Sequence, residues 1–251
     1  MIMTVIGFGC LVLGLICLSP FGIIAWILYL SGLRKQMRVI IYRIAQGWGR
    51  FVILVTNCKV TLSGREKIPK KGGMCFVSNH DGFFDIVLLL AYSGRPFGFI
   101  AKKELLYIPM LNLWIYMLGG LFIDRRNIKN AIKTIDKGVK RIKAGGGMII
   151  FPEGHRSKGR GLLPFHPGSL KLATSAGAPI VPVAIEGSYG VFEKNKRVIR
   201  GVRVKLSFLD VIDTAKIPST DRKQILCDQI FSAISGEMAC GKLQAADSPS
   251  N

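Results

Sequence analysis

The sequence predicts an α/β fold: a mixed, mostly parallel sheet covered by helices, preceded by an N-terminal membrane-embedded helical segment. Three observations predict it. From residue 59 onward, short β-rich runs alternate with helix-patterned ones, the order expected of a sheet layered with helices. The first 33 residues carry no charged side chain, whereas residues 34–57 mix arginines with large apolar groups. The polar residues able to do chemistry stand at the ends of apolar runs, where strand-end loops leave them free to act.

Residues 1–30, MIMTVIGFGCLVLGLICLSPFGIIAWILYL, are long enough to cross a hydrocarbon core of roughly 30 Å. A basic start and a small-residue cleavage site are both missing, which argues against a secretory signal. Pro20 and Gly22 fall inside the run, so a straight span, a broken helix and a re-entrant hairpin all remain open. Arg34, Lys35 and Arg38 follow at once and place the next residues on the cytoplasmic side. In residues 34–57, Ile40, Ile44, Trp48, Phe51 and Val55 recur at spacings of four and three among Arg38, Arg43 and Arg50. That pattern suits an amphipathic helix in an anionic interface, and equally a helix packed on a core.

Strands are expected at 59–63, 74–78, 97–101, 121–124, 147–151, 180–186 and 202–209. A helix is expected over about 83–92. A second covers 128–144, where Ile128, Ile132, Ile135, Val139 and Ile142 form one stripe and Gly145-Gly146-Gly147 ends the run. Five lysines (129, 133, 137, 140 and 143) lie mostly off that stripe, as on a solvated face. The polar tail after Met238 reads as disordered. The resulting organisation is 1–57 membrane-embedded or interfacial helices, 58–238 a catalytic domain, and 239–251 a disordered tail.

The chain holds 35 basic and 15 acidic side chains, a net charge of +20, with a pI near 10.0 and a mean hydropathy of +0.36. Such a charge calls for an anionic partner. Basic and greasy together favour a lipid surface over nucleic acid, and no interleaving of basic and exposed aromatic residues supports a nucleic-acid binder. The six cysteines form no C-x-x-C pair, so neither a disulfide framework nor a zinc site is expected. No metal cluster, P-loop or dinucleotide fingerprint occurs.

Of three histidines in the chain, His80 stands in Ser78-Asn79-His80-Asp81-Gly82-Phe83-Phe84-Asp85. Five residues separate His80 from Asp85, which on one helix puts them about 140° apart. They meet only if His80 lies in the loop leaving strand 74–78 and Asp85 in the first helical turn. Gly82 would permit the sharp entry, and Asn79 or Asp81 would cap the helix. Asp85 could then fix the imidazole tautomer, leaving the other ring nitrogen to take a proton from a substrate hydroxyl. A purely structural pairing at a helix start is the competing reading. Further on, Gly119 to Asn127 (GGLFIDRRN) ends a strand in Asp124-Arg125-Arg126, where guanidinium forks suit a phosphate. Residues 149–161 (IIFPEGHRSKGRG) end another apolar run in Pro152-Glu153-Gly154, followed by Arg156, Lys158 and Arg160. Backbone amides near Gly154 or at the helix start after His80 are candidates for an oxyanion. Last, Ile180 to Ile185 is an apolar run broken by Pro182, suggesting an edge strand or a cavity wall.

These four stretches, in this order, carry a resemblance. N-H-x-x-x-x-D (Asn79, His80, Asp85), G-x-F-I-D-R (Gly120 to Arg125), F-P-E-G-x-R-S (Phe151 to Ser157) and V-P-V (Val181 to Val183) resemble the glycerolipid acyltransferases. Within that superfamily the likeness is to the lysophosphatidic acid acyltransferases, and it covers about residues 60–190. Ala101-Lys102-Lys103-Glu104-Leu105 is similar to the family's A-K-x-E-L segment.

The resemblance implies His80 as general base with Asp85 orienting it. It implies that Arg125, with Lys102 or Lys103, holds the acceptor's phosphate. Glu153, Gly154, Arg156 and Ser157 would shape the acceptor site, and Pro182 the acyl-facing region; Asn79 completes the substrate-binding set. It implies no cofactor, with an acyl carrier protein or coenzyme A thioester as co-substrate, lysophosphatidate as acceptor and membrane lipids as surroundings. The expected location is a bacterial inner membrane with the active site on its cytoplasmic face. His155 and His166 depart from the threonine and lysine common in the family, which leaves other lysolipids, a lyso-ornithine lipid or glycerol-3-phosphate as alternative acceptors. A non-catalytic membrane-surface protein is the reading from another class.

Overall fold

The structure, a computed structural model, describes residues 2–31, 34–124, 126–194, 201–218 and 221–246. Seven strands form one sheet: β1 (Lys59–Ser63), β2 (Met74–Ser78), β3 (Phe97–Lys102), β4 (Leu121–Ile123), β5 (Gly147–Ile150), β6 (Ile180–Glu186) and β7 (Arg203–Phe208). Each falls within one residue of the expected bounds. The order across the sheet is β1-β7-β6-β2-β5-β3-β4. Every neighbouring pair is parallel except β6 with β7. The C-terminal ends of β2, β3, β4, β5 and β6 therefore lie along one edge, where open α/β sheets place their ligand sites.

Among the described residues, seven α-helices accompany the sheet: α1 (Ile2–Leu30), α2 (Arg34–Val55), α3 (Phe84–Tyr92), α4 (Leu111–Met117), α5 (Ile128–Lys143), α6 (Lys171–Ala176) and α7 (Arg222–Ala246). One core joins α2, α3 and α4 to Phe76, Ile149, Val181 and Val183; the other joins α5, α6 and α7 to Cys75, Val77, Met148 and Ile180. Alternate residues of β2, β5 and β6 thus feed opposite cores. Strands covered on both faces must be apolar throughout, which is why these runs lack an alternating pattern.

Pro182 is not on an edge strand. β6 is interior, and Pro182 pairs with Val77 of β2. The proline is tolerated because the β7 ladder is interrupted beside it. Pairing stops at Val183↔Phe208 and resumes only at the bridge Ile180↔Ile212. Residues 209–211 thus oppose 181–182, a bulge at which a missing N–H does little harm.

Among the described residues no helix is long and apolar enough to cross a membrane, so the straight span, one of the alternatives left open, has no support here. Helix α1 runs through Pro20 without a break and lies against α2 and α4. Gly22 fits because a Cβ there would stand 2.7 Å from Met117 Cε. The stripe expected on α2 is divided: Ile40 and Phe51 are exposed, Ile44 and Trp48 are half-buried against the core, and Met37, Ile41, Ala45 and Val52 beside them are buried. α2 also satisfies carbonyls at the end of α3, since Tyr42 Oη donates to Leu90 O at 3.3 Å and Gln46 Nε2 to Ala91 O at 3.3 Å.

Asn127 caps α5, its Oδ1 accepting from Asn130 N at 3.1 Å, and Gly145 at φ 85 ends it as expected. Only the far end of the α5 stripe is fully buried: Ile142 is 2% exposed and Ile128 75%. The first turns sit over the three-residue edge strand β4, which offers little to pack on. α7 continues to Ala246, and the rest of the expected tail lies outside the described residues. The helix's Lys-Leu-Gln-Ala-Ala ending consists of good helix formers.

Candidate active site

β2 ends at Ser78, at the centre of the sheet, and α3 starts at Phe84. The five residues between form a loop, so His80 and Asp85 escape the helical geometry that would part them. His80 Nδ1 lies 2.6 Å from Asp85 Oδ2. The same oxygen accepts from Asp81 N at 2.8 Å and Gly82 N at 3.1 Å, and Asp85 Oδ1 accepts from the Ser188 hydroxyl. Asp85 is fully buried, and a carboxylate removed from water needs this set of donors. Neither Asn79 nor Asp81 caps α3; Asp85 instead reaches back and gathers the loop's amides.

With Asp85 ionised, Nδ1 carries the imidazole proton and Nε2 presents a lone pair. Nε2 has no protein partner among the described residues, and the side chain is 20% exposed. The ring stacks on Phe151, centroids 4.1 Å apart at 21°. A carboxylate holds one face of this imidazole's chemistry and an aromatic plate steadies the ring.

The loop after β5 braces the backbone of His80 on both sides. Glu153 Oε1 accepts from His80 N at 2.9 Å, and Ser157 N donates to His80 O at 2.7 Å. Glu153 is wholly buried, and the Leu163 amide also lies toward its carboxylate. Burial pushes its carboxyl up to about 7, partly opposed by the His80 amide and reinforced by Asp85's charge. Asp81 binds the surrounding segments together, accepting from Ser157 Oγ at 3.3 Å, Gly159 N at 3.1 Å, Ser188 Oγ at 3.3 Å and Tyr189 N at 3.1 Å.

Several expected ligand residues make hydrogen bonds within the protein. Asn79 is buried, and its amide spans Ile185 of β6, donating to O and accepting from N, each at 2.8 Å. Ser157 is buried and donates to Asp81. Gly154, at φ 73, turns the chain, and its amide donates to Phe151 O at 3.1 Å. Gly82 is needed for space, not for a positive φ: a Cβ would lie 2.6 Å from Glu193 Oε2. The amides of Asp81, Gly82 and Phe83 all donate to carboxylates, so the proposed oxyanion donors at this helix start are occupied, as is Gly154.

Cations border the site. The Arg156 guanidinium lies over the Phe83 ring, 3.6 Å from its centroid, and pairs with Glu193 at 2.7 Å. Lys102 ends β3, two strands and so about 10 Å from β2. Lys103 pairs with Asp124 beyond β4 at 3.0 Å, which raises the lysine and lowers the aspartate from their usual values. Arg125 lies outside the described residues. Beside the loop is an apolar cavity of about 250 Å³, lined by Trp48 of α2, Phe83, Ile86 and Val87 of α3, Phe99 of β3 and Trp114 of α4. Among the described residues, no cluster of side chains could hold a metal ion.

The family model described as "Acyltransferase" matches residues 59–186, more than half of the chain. This chain belongs to the acyltransferase family. It is similar to a 1-acyl-sn-glycerol-3-phosphate acyltransferase of Borreliella burgdorferi, 31% identical over 183 residues, 72% of this chain and 73% of that one. A second relative of the same name, from Escherichia coli, is 36% identical over 126 residues, 50% of this acyltransferase and 51% of its own length. The solved structure of the LPA acyltransferase PlsC from Thermotoga maritima matches with a TM-score of 0.76 at 26% identity, covering 96% of this chain and 97% of that one. The matched segment runs from β1 to the end of β6 and so contains His80, Asp85 and Glu153.

Reading the motifs did not reveal four residues of this site: Phe151 as the plate under His80, Asp81 as a hub, Ser188 as donor to Asp85, and Glu193. Phe151 stood within a recognised motif and was passed over as part of an apolar run. Ser188 lies 103 residues from Asp85, and Glu193 lies 110 from Phe83 and 37 from Arg156, in a turn with no local pattern.

Proposed function

We infer that this acyltransferase moves a fatty acyl group from a thioester to the sn-2 hydroxyl of lysophosphatidate, giving phosphatidate. The observation that carries the reading is the 2.6 Å contact of His80 Nδ1 with a fully buried Asp85, which leaves Nε2 to a substrate. The names of the relatives supply the acceptor.

In this scheme Nε2 takes the proton of the acceptor's hydroxyl as its oxygen attacks the thioester carbonyl. The tetrahedral adduct then collapses, the carbon–sulfur bond breaks, and His80 returns its proton to the departing thiolate. The products are the ester and a free thiol, with no acyl-enzyme. Asp85 stabilises the imidazolium between the two transfers, and the proton transfer by His80 is worth typically about 10²–10⁴-fold. Arg156, with Lys102 and Arg125, attracts the acceptor's phosphate, and coenzyme A or acyl carrier protein brings the acyl group. The cavity from Phe83 to Trp114 suits an alkyl chain, being almost wholly apolar.

Exposed apolar side chains support a lipid-surface location. Leu13, Phe21 and Ile24 of α1, Leu54 of α2, and Tyr107, Ile108 and Tyr116 around α4 are all uncovered. Trp26 packs edge-on against Tyr116, joining α1 to that region. Such an uncovered apolar area fits insertion into one leaflet.

The test is mass spectrometry of lipid products from membranes given lysophosphatidate with each thioester in turn. Phosphatidate carrying the donor's chain is expected. Acylation of another lysolipid alone would overturn the acceptor assignment.

A further inference from the structure

Glu193 lies beyond all four motifs, just past the 3-10 helix Ser188–Val191 that follows β6. Its carboxylate nevertheless reaches back to the His80–Asp85 loop and grips two separate segments. Oε1 accepts from Arg156 Nη1 at 2.7 Å, and Oε2 accepts from the backbone N–H of Phe83 at 2.9 Å. Between these contacts the Arg156 guanidinium lies flat on the Phe83 ring, 3.6 Å from its centroid. Glu193 is 13% exposed and Arg156 28%.

The approach is close enough to constrain its neighbour. A Cβ on Gly82 would stand 2.6 Å from Glu193 Oε2 and 3.0 Å from Tyr189 Cα. Gly82 thus makes room for this carboxylate. Arginine has five N–H donors in a rigid fork, and the Glu193 pair engages Nη1. Held on one side by an acid and underneath by a ring, the guanidinium is fixed in plane, with Nε and Nη2 unengaged among the described residues and open to an anion.

We propose that Glu193 is a positioning residue that clamps Arg156 across Phe83, aiming the guanidinium's remaining donors at the acceptor's phosphate. This rests on the reading of Arg156 as a phosphate contact. An isolated, partly exposed ion pair does little for stability, so its consequence lies in geometry. Misplacing a substrate-holding group by an ångström can cost a large factor in rate.

The experiment is a double-mutant cycle on purified enzyme in detergent, with lysophosphatidate varied at saturating thioester. Glu193→Ala should raise KM for the acceptor about tenfold, as expected for losing one charge-assisted contact, and more than it lowers kcat. Glu193→Gln keeps an acceptor for Phe83 N and should show a smaller rise. In an Arg156→Ala background, Glu193→Ala should add almost nothing, because no guanidinium remains to position. Additive effects, or a fall in kcat and melting temperature with KM unchanged, would overturn the clamp. Wild-type enzyme that leaves lysophosphatidate untouched would remove the reading of Arg156 itself, and the clamp with it. Active wild type with an additive cycle removes the clamp alone.

Discussion

Glu153 Oε1 accepts the backbone N–H of His80 at 2.9 Å, joining two motifs more than seventy residues apart through main chain. The carboxylate holds the base's backbone, not its ring. Because Glu153 is buried, its acidity carries a stability signature. Its folded-state value, about 7, lies above the ordinary 4.5. Stability from the protonated form is complete below about 4.5 and is lost as pH rises through about 7, by up to ~3 kcal/mol. Melting temperature should therefore fall between about pH 5 and pH 8, and fall less in Glu153→Gln. Equal slopes in the two proteins would refute the burial argument.

The single Ser188 hydroxyl proton is offered to Asp85 Oδ1, with Asp81 Oδ2 also 3.3 Å from Oγ, and both carboxylates are buried. Ser188→Ala leaves these carboxylates short of a donor, at a cost of about 1–3 kcal/mol. A lower melting temperature and a lower kcat are expected together, with KM for the acceptor little changed. A normal melting temperature would show that the hydroxyl is dispensable.

Asn79 sits inside a catalytic motif, but its side-chain amide bonds to the Ile185 backbone of β6. Asn79→Asp cannot donate to Ile185 O and buries a carboxylate there, so destabilisation of about 2–4 kcal/mol is expected. The acceptor KM of whatever folded enzyme remains should stay near normal. A stable variant with a greatly raised KM would restore the ligand role that the motif suggests.

Ile86 and Val87 line the apolar cavity next to Phe83. Ile86→Trp should fill part of it and shift preference toward shorter acyl donors, read as kcat/KM across a thioester series. An unchanged series would place the acyl chain elsewhere.

Much of the fold was legible because the strands are short, apolar and ended by Gly or polar turns. β2 and β5 read clearly, since burial on both faces forces apolar runs, and their ends marked the site. Pro182 misled, because the bulge at 209–211 that accommodates it lies on a different strand. The α2 stripe divides in the structure: Ile40 and Phe51 look outward while Ile44 and Trp48 meet the core, and periodicity cannot say which part of a stripe has a partner. His80 and Asp85 were legible as a pair. The residues that hold them, Ser188 and Glu193, were not, since only the parallel pairing of β6 with β2 brings their turn to the same edge.

Turnover by purified His80→Ala with lysophosphatidate and a thioester tests the central claim most directly. A loss of at least about 10²-fold is predicted, with melting temperature and membrane retention kept. A folded His80→Ala enzyme turning over at a near-normal rate would contradict the assignment of the base.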